Sequence, residues 1–219
     1  MGLLSLNHLA IFHPPGRLVD VNNPFGKDVA NAALYRALLR WGDFARVDIL
    51  NQAKVSSDEL RKDLYAVDLQ ATDICSVPTS EIESVKSSGT VLRGQPYLSE
   101  LAWWRRSQCS DSKFSLTGLI HTVAPARIRE RIGETLFAPV QPWDALICTS
   151  PAVQDNVRNL FDMYEEYVFE RFGGQCIQRP QLPLIPLAVD PPEASADVSV
   201  EFASRLRSKL QIDSDDIVV

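Results

Sequence analysis

The chain has 219 residues, a formal net charge of -6, and 45% hydrophobic against 23% charged residues, the balance of a globular protein able to bury a sizeable core. The acidic balance argues against a general affinity for nucleic acid, and no apolar run approaches the roughly 20 residues of a membrane-spanning helix. Cys75, Cys109, Cys148 and Cys176 lie far apart with no CxxC pair, which predicts reduced, mostly buried thiols in a cytoplasmic protein rather than a metal or disulfide framework.

The N-terminus, MGLLSLNHLAIF, has neither a basic start nor a small-residue cleavage site, so Leu6–Phe12 reads as a first strand and not as a signal peptide. In KDVANAALYRALLRW, Val29, Ala33 and Ala37 combine with Ala30, Leu34, Leu38 and Trp41 into one broad apolar helix face. Ala45–Leu50 is the next strand. Asn51–Gly89 is polar with weak periodicity and predicts a helix and a short irregular connection. Thr90–Leu92 is a strand, and YLSELAWWRR after Pro96 a helix. Phe114–Val123 is a long apolar strand ending in GLIHTVAP, and Pro125 opens the helix that follows.

Ala145–Thr149 leads into Ser150, a good N-cap, with Pro151 at the first helical position. Val153, Val157, Leu160, Phe161, Tyr164, Val168 and Phe172 recur at helical intervals, and Gly173-Gly174 supplies the stop. Leu182–Leu187 reads as a further strand and Asp190–Val198 as a proline-rich acidic linker. EFASRLRSKLQI is helical, and after the polar DSDD turn the apolar IVV stub reads as a cut strand, so the chain is read as the N-terminal portion of something longer. Alternating strands and helices predict an α/β fold: a Rossmann-like, doubly wound, mostly parallel sheet of about six or seven strands. The expected division is 1–190 for this domain and 191–219 for a linker, a helix and a strand stub.

Two places could carry chemistry. NNPFGKDVAN sits between a strand and a helix, where backbone N–H groups and the positive helix end face the crevice above the sheet. Gly26 would let a ligand approach and Lys27 would add charge; equally, Gly26 serves an ordinary turn. There is no GxGxxG and no GK[ST], so dinucleotide and P-loop readings lack support. His121, with Thr122 beside it, stands at a strand end where ligands gather, and can also be read as a satisfied structural histidine.

The other candidates have structural explanations. Arg127, Arg129 and Arg131 spread around a solvated helix, and Trp103-Trp104 gives one packed and one surface ring, with sugar stacking as the weaker alternative for the pair. Ser150 is a cap and lacks a nucleophile-elbow motif. Neither Glu165-Glu166 nor Asp215-Asp216 converges as a glycosidase pair would. His8, His13 and His121 are too scattered to define a metal site.

Taken in order, NPFGKDVANAALYRALLRWG, GLIHTVAP, DALICTSPAVQDNV and PLIPLAVD resemble the acceptor-side half of retaining glycosyltransferases of family 4. The likeness covers nearly the whole chain, with one departure at Ala188, where that family often has glycine before the V-D pair. It implies the N-terminal half of a GT-B fold, packed on a missing C-terminal domain that carries most nucleotide-sugar contacts. It further implies a sugar transferase with a nucleotide-sugar co-substrate and an acceptor glycan, lipid or small molecule, without a metal. By the resemblance, His121 orients the donor sugar as the catalytic residue, and Gly26 and Lys27 lie against the phosphates or the sugar. Thr122 joins the substrate-binding set, and Arg93 and Gly94 contact the acceptor. The 219-residue chain alone would be inactive. Rival readings are a non-catalytic Rossmann-like module that binds a ligand or partner, and another two-domain transferase or epimerase with the same half-fold.

Overall fold

The structure, a computed structural model, describes residues 7–16, 18, 26–64, 72–173, 177–187 and 196–213. One sheet is built from β1 (His8–Phe12), β2 (Arg46–Asn51), β3 (Asp73–Pro78), β4 (Thr90–Arg93), β5 (Ser115–Ile120) and β6 (Ala145–Cys148). The strands lie in the order β3-β2-β1-β4-β5-β6 and every neighbouring pair is parallel. This is the doubly wound Rossmann order, so the expected fold class holds.

Each strand's period of two divides its residues between two apolar layers. Leu9 and Ile11 of β1 join Val47, Ile49 and Ile74 on one face, while Ala10 and Phe12 join Val91, Leu116 and Leu146 on the other. The first layer is closed by Tyr35 and Leu39 of α1 (Gly26–Trp41) and by Leu60 and Leu64 of α2 (Ser57–Leu64). The second is closed by α3 (Ile82–Lys86), α4 (Leu98–Gln108), α5 (Ala126–Gly133) and α6 (Pro151–Phe172). Right-handed crossovers explain the split. The chain travels outward through β2 to β3, then returns to β4 beside β1 and travels the other way, which places its later helices on the opposite face.

Several local expectations hold. Ser150 accepts a hydrogen bond from the Val153 N–H, Pro151 begins α6, and Gly173 ends it at φ 68°. Trp104 packs near Phe12 and Phe114, with ring centroids 5.3 and 5.9 Å away, while Trp103 is exposed. A fully buried ion pair fastens the second layer: both guanidinium ends of Arg105 on α4 meet the Asp144 carboxylate at 2.8 Å. At the amino edge of the sheet, the buried His8 ring bonds to Asp48 at 3.0 Å and to Ser87 at 2.8 Å, tying β1 to β2 and to the turn before β4.

Other expectations are corrected. The region Asn51–Gly89 contains strand β3 as well as helices. At the sheet's edge only Ile74 and Val77 of β3 are buried, so it never shows the apolar run of an inner strand. Leu182–Leu187 is not a regular strand. Gln181, Pro183 and Ile185 bond to β6 through Leu146 N–H, Cys148 N–H and Cys148 C=O, but Pro183 has no N–H for the Leu146 carbonyl, and the ladder breaks into isolated bridges. The Cys148 thiol donates to that carbonyl instead, at 3.6 Å.

The buried face of α1 is Asn31, Ala32, Tyr35 and Leu39, whereas Val29 and Trp41 are 52% and 75% exposed. Of the cysteines, Cys148 is buried and Cys75 and Cys109 are only half-buried; all three are free. Burial raises the pKa of each of these thiols, most directly by desolvation.

The chain divides into two compact units, Met1–Pro186 and Leu187–Val219. The second contains α7 (Ala196–Leu210), which starts inside the predicted Asp190–Val198 linker and exposes Phe202, Leu206 and Leu210 at four-residue spacing. The expectations for Gly174, Cys176, Ala188, Asp190, Asp215-Asp216 and the IVV stub fall outside the described residues, as does most of the loop before Gly26. Among the described residues no helix is long and apolar enough to cross a membrane.

Candidate functional site

The sheet's travel reverses between β1 and β4, and the crevice above their carboxyl ends is where doubly wound sheets bind ligands. Three segments reach this place: the start of α1, the turn after β4, and the turn after β5. Their meeting point is His121. Its Nε2 lies 2.8 Å from Asn31 Oδ1 and 3.2 Å from the Gly94 carbonyl oxygen. A carbonyl only accepts, so Nε2 carries the hydrogen and donates, and Asn31 presents its oxygen. Nδ1 is left with a lone pair that no described residue engages. Burial lowers the pKa of His121 below the usual histidine value, and the nearby Lys27 charge adds to this; the Gly94 carbonyl and Asp28 act in the opposite direction. The ring is therefore neutral at pH 7.

Asn31 and Gly94 are matched to this arrangement. Asn31 is 3% exposed. A Cβ built on Gly94 would stand 2.4 Å from both Cγ and Oδ1 of Asn31, so only glycine lets the β4 turn close on that amide. Tyr35, one turn further along α1, is fully buried, and its hydroxyl lies against the Gly94 backbone without a hydrogen bond of normal geometry. Desolvation pushes its phenol far above the ordinary tyrosine value. The ring of His13, just past β1, meets Tyr35 edge-on with centroids 6.4 Å apart.

The remaining predicted residues divide clearly. Gly26 is the first residue of α1, with open space where a Cβ would stand. Lys27 is half-exposed, pairs with Asp28 at 3.5 Å, and is close enough to influence His121 electrostatically. Thr122 is occupied by the turn, its hydroxyl accepting from the Ala124 N–H at 3.1 Å. Arg93 is committed to the fold: it is buried, bonds to Glu100 at 2.8 Å and lies over the rings of Phe12 and Tyr97. The structure thus joins His121, Gly94 and the start of α1, and turns Thr122 and the Arg93 guanidinium to local tasks.

Asn31 and Tyr35 were not among the sequence candidates. One signal was present: an asparagine in the interior of a helix competes with the helical backbone and is disfavoured unless its side chain has a task elsewhere. Chemically, a neutral imidazole with a fixed tautomer and an open Nδ1 is an acceptor that can hold a ligand hydroxyl in one orientation. Desolvation opposes its becoming an imidazolium, so it suits orientation better than storage of a proton. Among the described residues no group of three His, Cys, Asp or Glu side chains could hold a metal ion. A scan against family models matched none, and searches of curated proteins and of solved structures returned no match.

Proposed function

We propose that this chain is the acceptor-side half of a retaining glycosyltransferase that moves a sugar from a nucleotide-sugar to an acceptor hydroxyl. The observation that carries the proposal is the pinned, neutral His121 at the switch-point crevice, with Nδ1 engaged by no described residue and the start of α1 beside it. A sugar is recognised through its hydroxyls. Nδ1 would accept from one of them and hold the anomeric carbon in register with the acceptor, a contribution through orientation. The departing diphosphate needs positive charge. Lys27 and the α1 N-terminus at Gly26 supply part of it, and the partner half would supply the remainder.

The test is transfer by the complete protein with labelled nucleotide sugars. His121→Ala is expected to lower turnover roughly ten- to a thousand-fold. Asn31→Asp, which keeps an oxygen acceptor for Nε2 but favours the imidazolium, should shift the pH profile. Unchanged turnover in a stably folded His121→Ala protein would end the proposal. So would robust transfer by the 219-residue chain alone, which the half-site reading expects to be inactive.

A further inference from the structure

The carboxyl edge of the sheet holds a second concave region. Loops after β2 and β3 and the start of α2 line an open, concave pocket of about 610 Å³, within the usual volume range of small-molecule sites. It lies three strand spacings along the sheet from β5, about 14 Å at 4.8 Å per strand.

The polar groups of its walls fall into two sets. One set holds the walls together. Asn51 Nδ2 donates to Ser76 Oγ at 2.8 Å, the Ser76 N–H donates to Ser57 Oγ at 2.9 Å, and the Ser76 hydroxyl donates to the Val55 carbonyl. Val55 is clamped from behind by the Gly16 turn, where a Cβ would fall 2.5 Å from its side chain. The other set is uncommitted: the Gln52 amide, the Lys54 ammonium and the hydroxyls of Thr79 and Ser80 line the cavity without a partner among the described residues. The frame is fixed by these bonds, and it carries the open donors on exposed or half-buried side chains that a ligand can order.

The chemistry of the open set selects the ligand. It combines one cation, an amide and two hydroxyls, and the lining contains no carboxylate. Such a surface matches a ligand that is anionic and rich in acceptors. The N-terminus of α2 adds little, because Ser56 and Glu59 already cap it reciprocally: Ser56 Oγ accepts from the Glu59 N–H at 3.3 Å, and the Glu59 carboxylate accepts from the Ser56 N–H at 3.0 Å. Attraction for an anion therefore rests on Lys54. Three separate donors, on Lys54, Thr79 and Ser80, suit the three oxygens of a phosphomonoester better than the two of a carboxylate. The volume beyond them leaves room for a hydroxylated body that Gln52 can both donate to and accept from.

We infer that this cavity binds a polyhydroxyl phosphomonoester, its phosphate on Lys54, Thr79 and Ser80. The inference concerns binding and stands apart from the transfer reaction. The experiment is titration of the ¹⁵N-labelled 219-residue protein with glucose 6-phosphate, glucose, inorganic phosphate and gluconate, followed by amide shifts. Glucose 6-phosphate should give saturable shifts at Gln52, Lys54, Thr79 and Ser80, at least about tenfold tighter than the other three probes. Lys54→Asn is the diagnostic variant. Lys54 sits at φ 54°, where asparagine is favoured over lysine, so this protein should melt no lower than the parent yet bind at least about tenfold more weakly. Lys113→Asn, in a turn outside the cavity lining, should bind like the parent. Absence of saturable shifts overturns the inference, as do shifts confined to other residues. Equal affinity for phosphate alone, glucose or gluconate also overturns it, as does binding indifferent to Lys54→Asn.

Discussion

Gly94→Ala tests whether the switch-point knot is as tight as its geometry requires. The added methyl would stand 2.4, 2.4 and 2.6 Å from Cγ, Oδ1 and Nδ2 of Asn31, all well inside contact distance. Asn31 cannot swing away, since it is buried in α1 and bonded to His121 at 2.8 Å. Relief requires moving the amide and losing that bond. Overpacking of this kind costs about 1–3 kcal/mol and the lost hydrogen bond about 1 kcal/mol more. Against this, alanine restricts the unfolded chain and returns about 0.4–1 kcal/mol. The clash wins, leaving a net loss of about 1–3 kcal/mol and a melting temperature lower by about 2–12 °C. Thermal unfolding followed by circular dichroism reads this directly, and the His121 ring protons should report a changed environment by NMR. Because the penalty arises from Asn31, the same substitution in an Asn31→Ala background should cost less than half as much. A Gly94→Ala protein melting within about 1 °C of the parent would refute the reasoning, as would a penalty unaffected by Asn31→Ala.

Three further outcomes are expected. Asp144→Asn should destabilise by about 3–5 kcal/mol in urea unfolding, because it leaves the Arg105 charge buried and uncompensated; a loss under about 1 kcal/mol would show the pair to be dispensable. His121 should make stability fall as the pH drops. Burial holds its folded pKa below the unfolded value of 6.5, so the unfolded chain takes up the proton first and gains as the pH passes downward from about 6.5 to the folded pKa. The difference in stability between pH 7.5 and pH 5 should therefore be smaller in His121→Gln, and an identical difference would sink the argument. Ser150→Ala should cost about 1 kcal/mol through loss of the α6 cap while Ser150→Asp holds the parent's stability, both measured by chemical denaturation.

What could be read from the sequence followed burial. β1, β2, β4, β5 and β6 are buried or half-buried over most of their length and appear as apolar runs, broken only at points such as Asp48 and Thr117. β3 stayed hidden because, at the edge, DICSVP carries Asp73 and Ser76 on positions an inner strand would fill with aliphatic residues. The face of α1 was misjudged for a related reason. Counting apolar residues favoured Val29 and Trp41, while the helix turns inward along Asn31 and Tyr35, whose polar atoms meet the β4 turn. His121 was legible because its place at the end of β5 is a matter of local order. Its partners were not, since Asn31 and Gly94 are brought to it by tertiary folding from 90 and 27 residues away. The cavity after β2 and β3 was invisible for the same cause as β3 itself.

The proline at 183 has a consequence for assembly. Parallel sheets invite further strands at their margins, and such a margin is a route to misassociation. Here the 181–185 segment lies along β6, and α6 meets it at one point, where Gln154 Nε2 donates to the Leu182 carbonyl at 2.6 Å. A strand arriving from outside would find that acceptor occupied, and Pro186 ends the run of usable backbone donors immediately beyond. Backbone pairing by a strand arriving from outside is thereby hindered at this margin of the sheet, beside β6, while β3 forms its other margin.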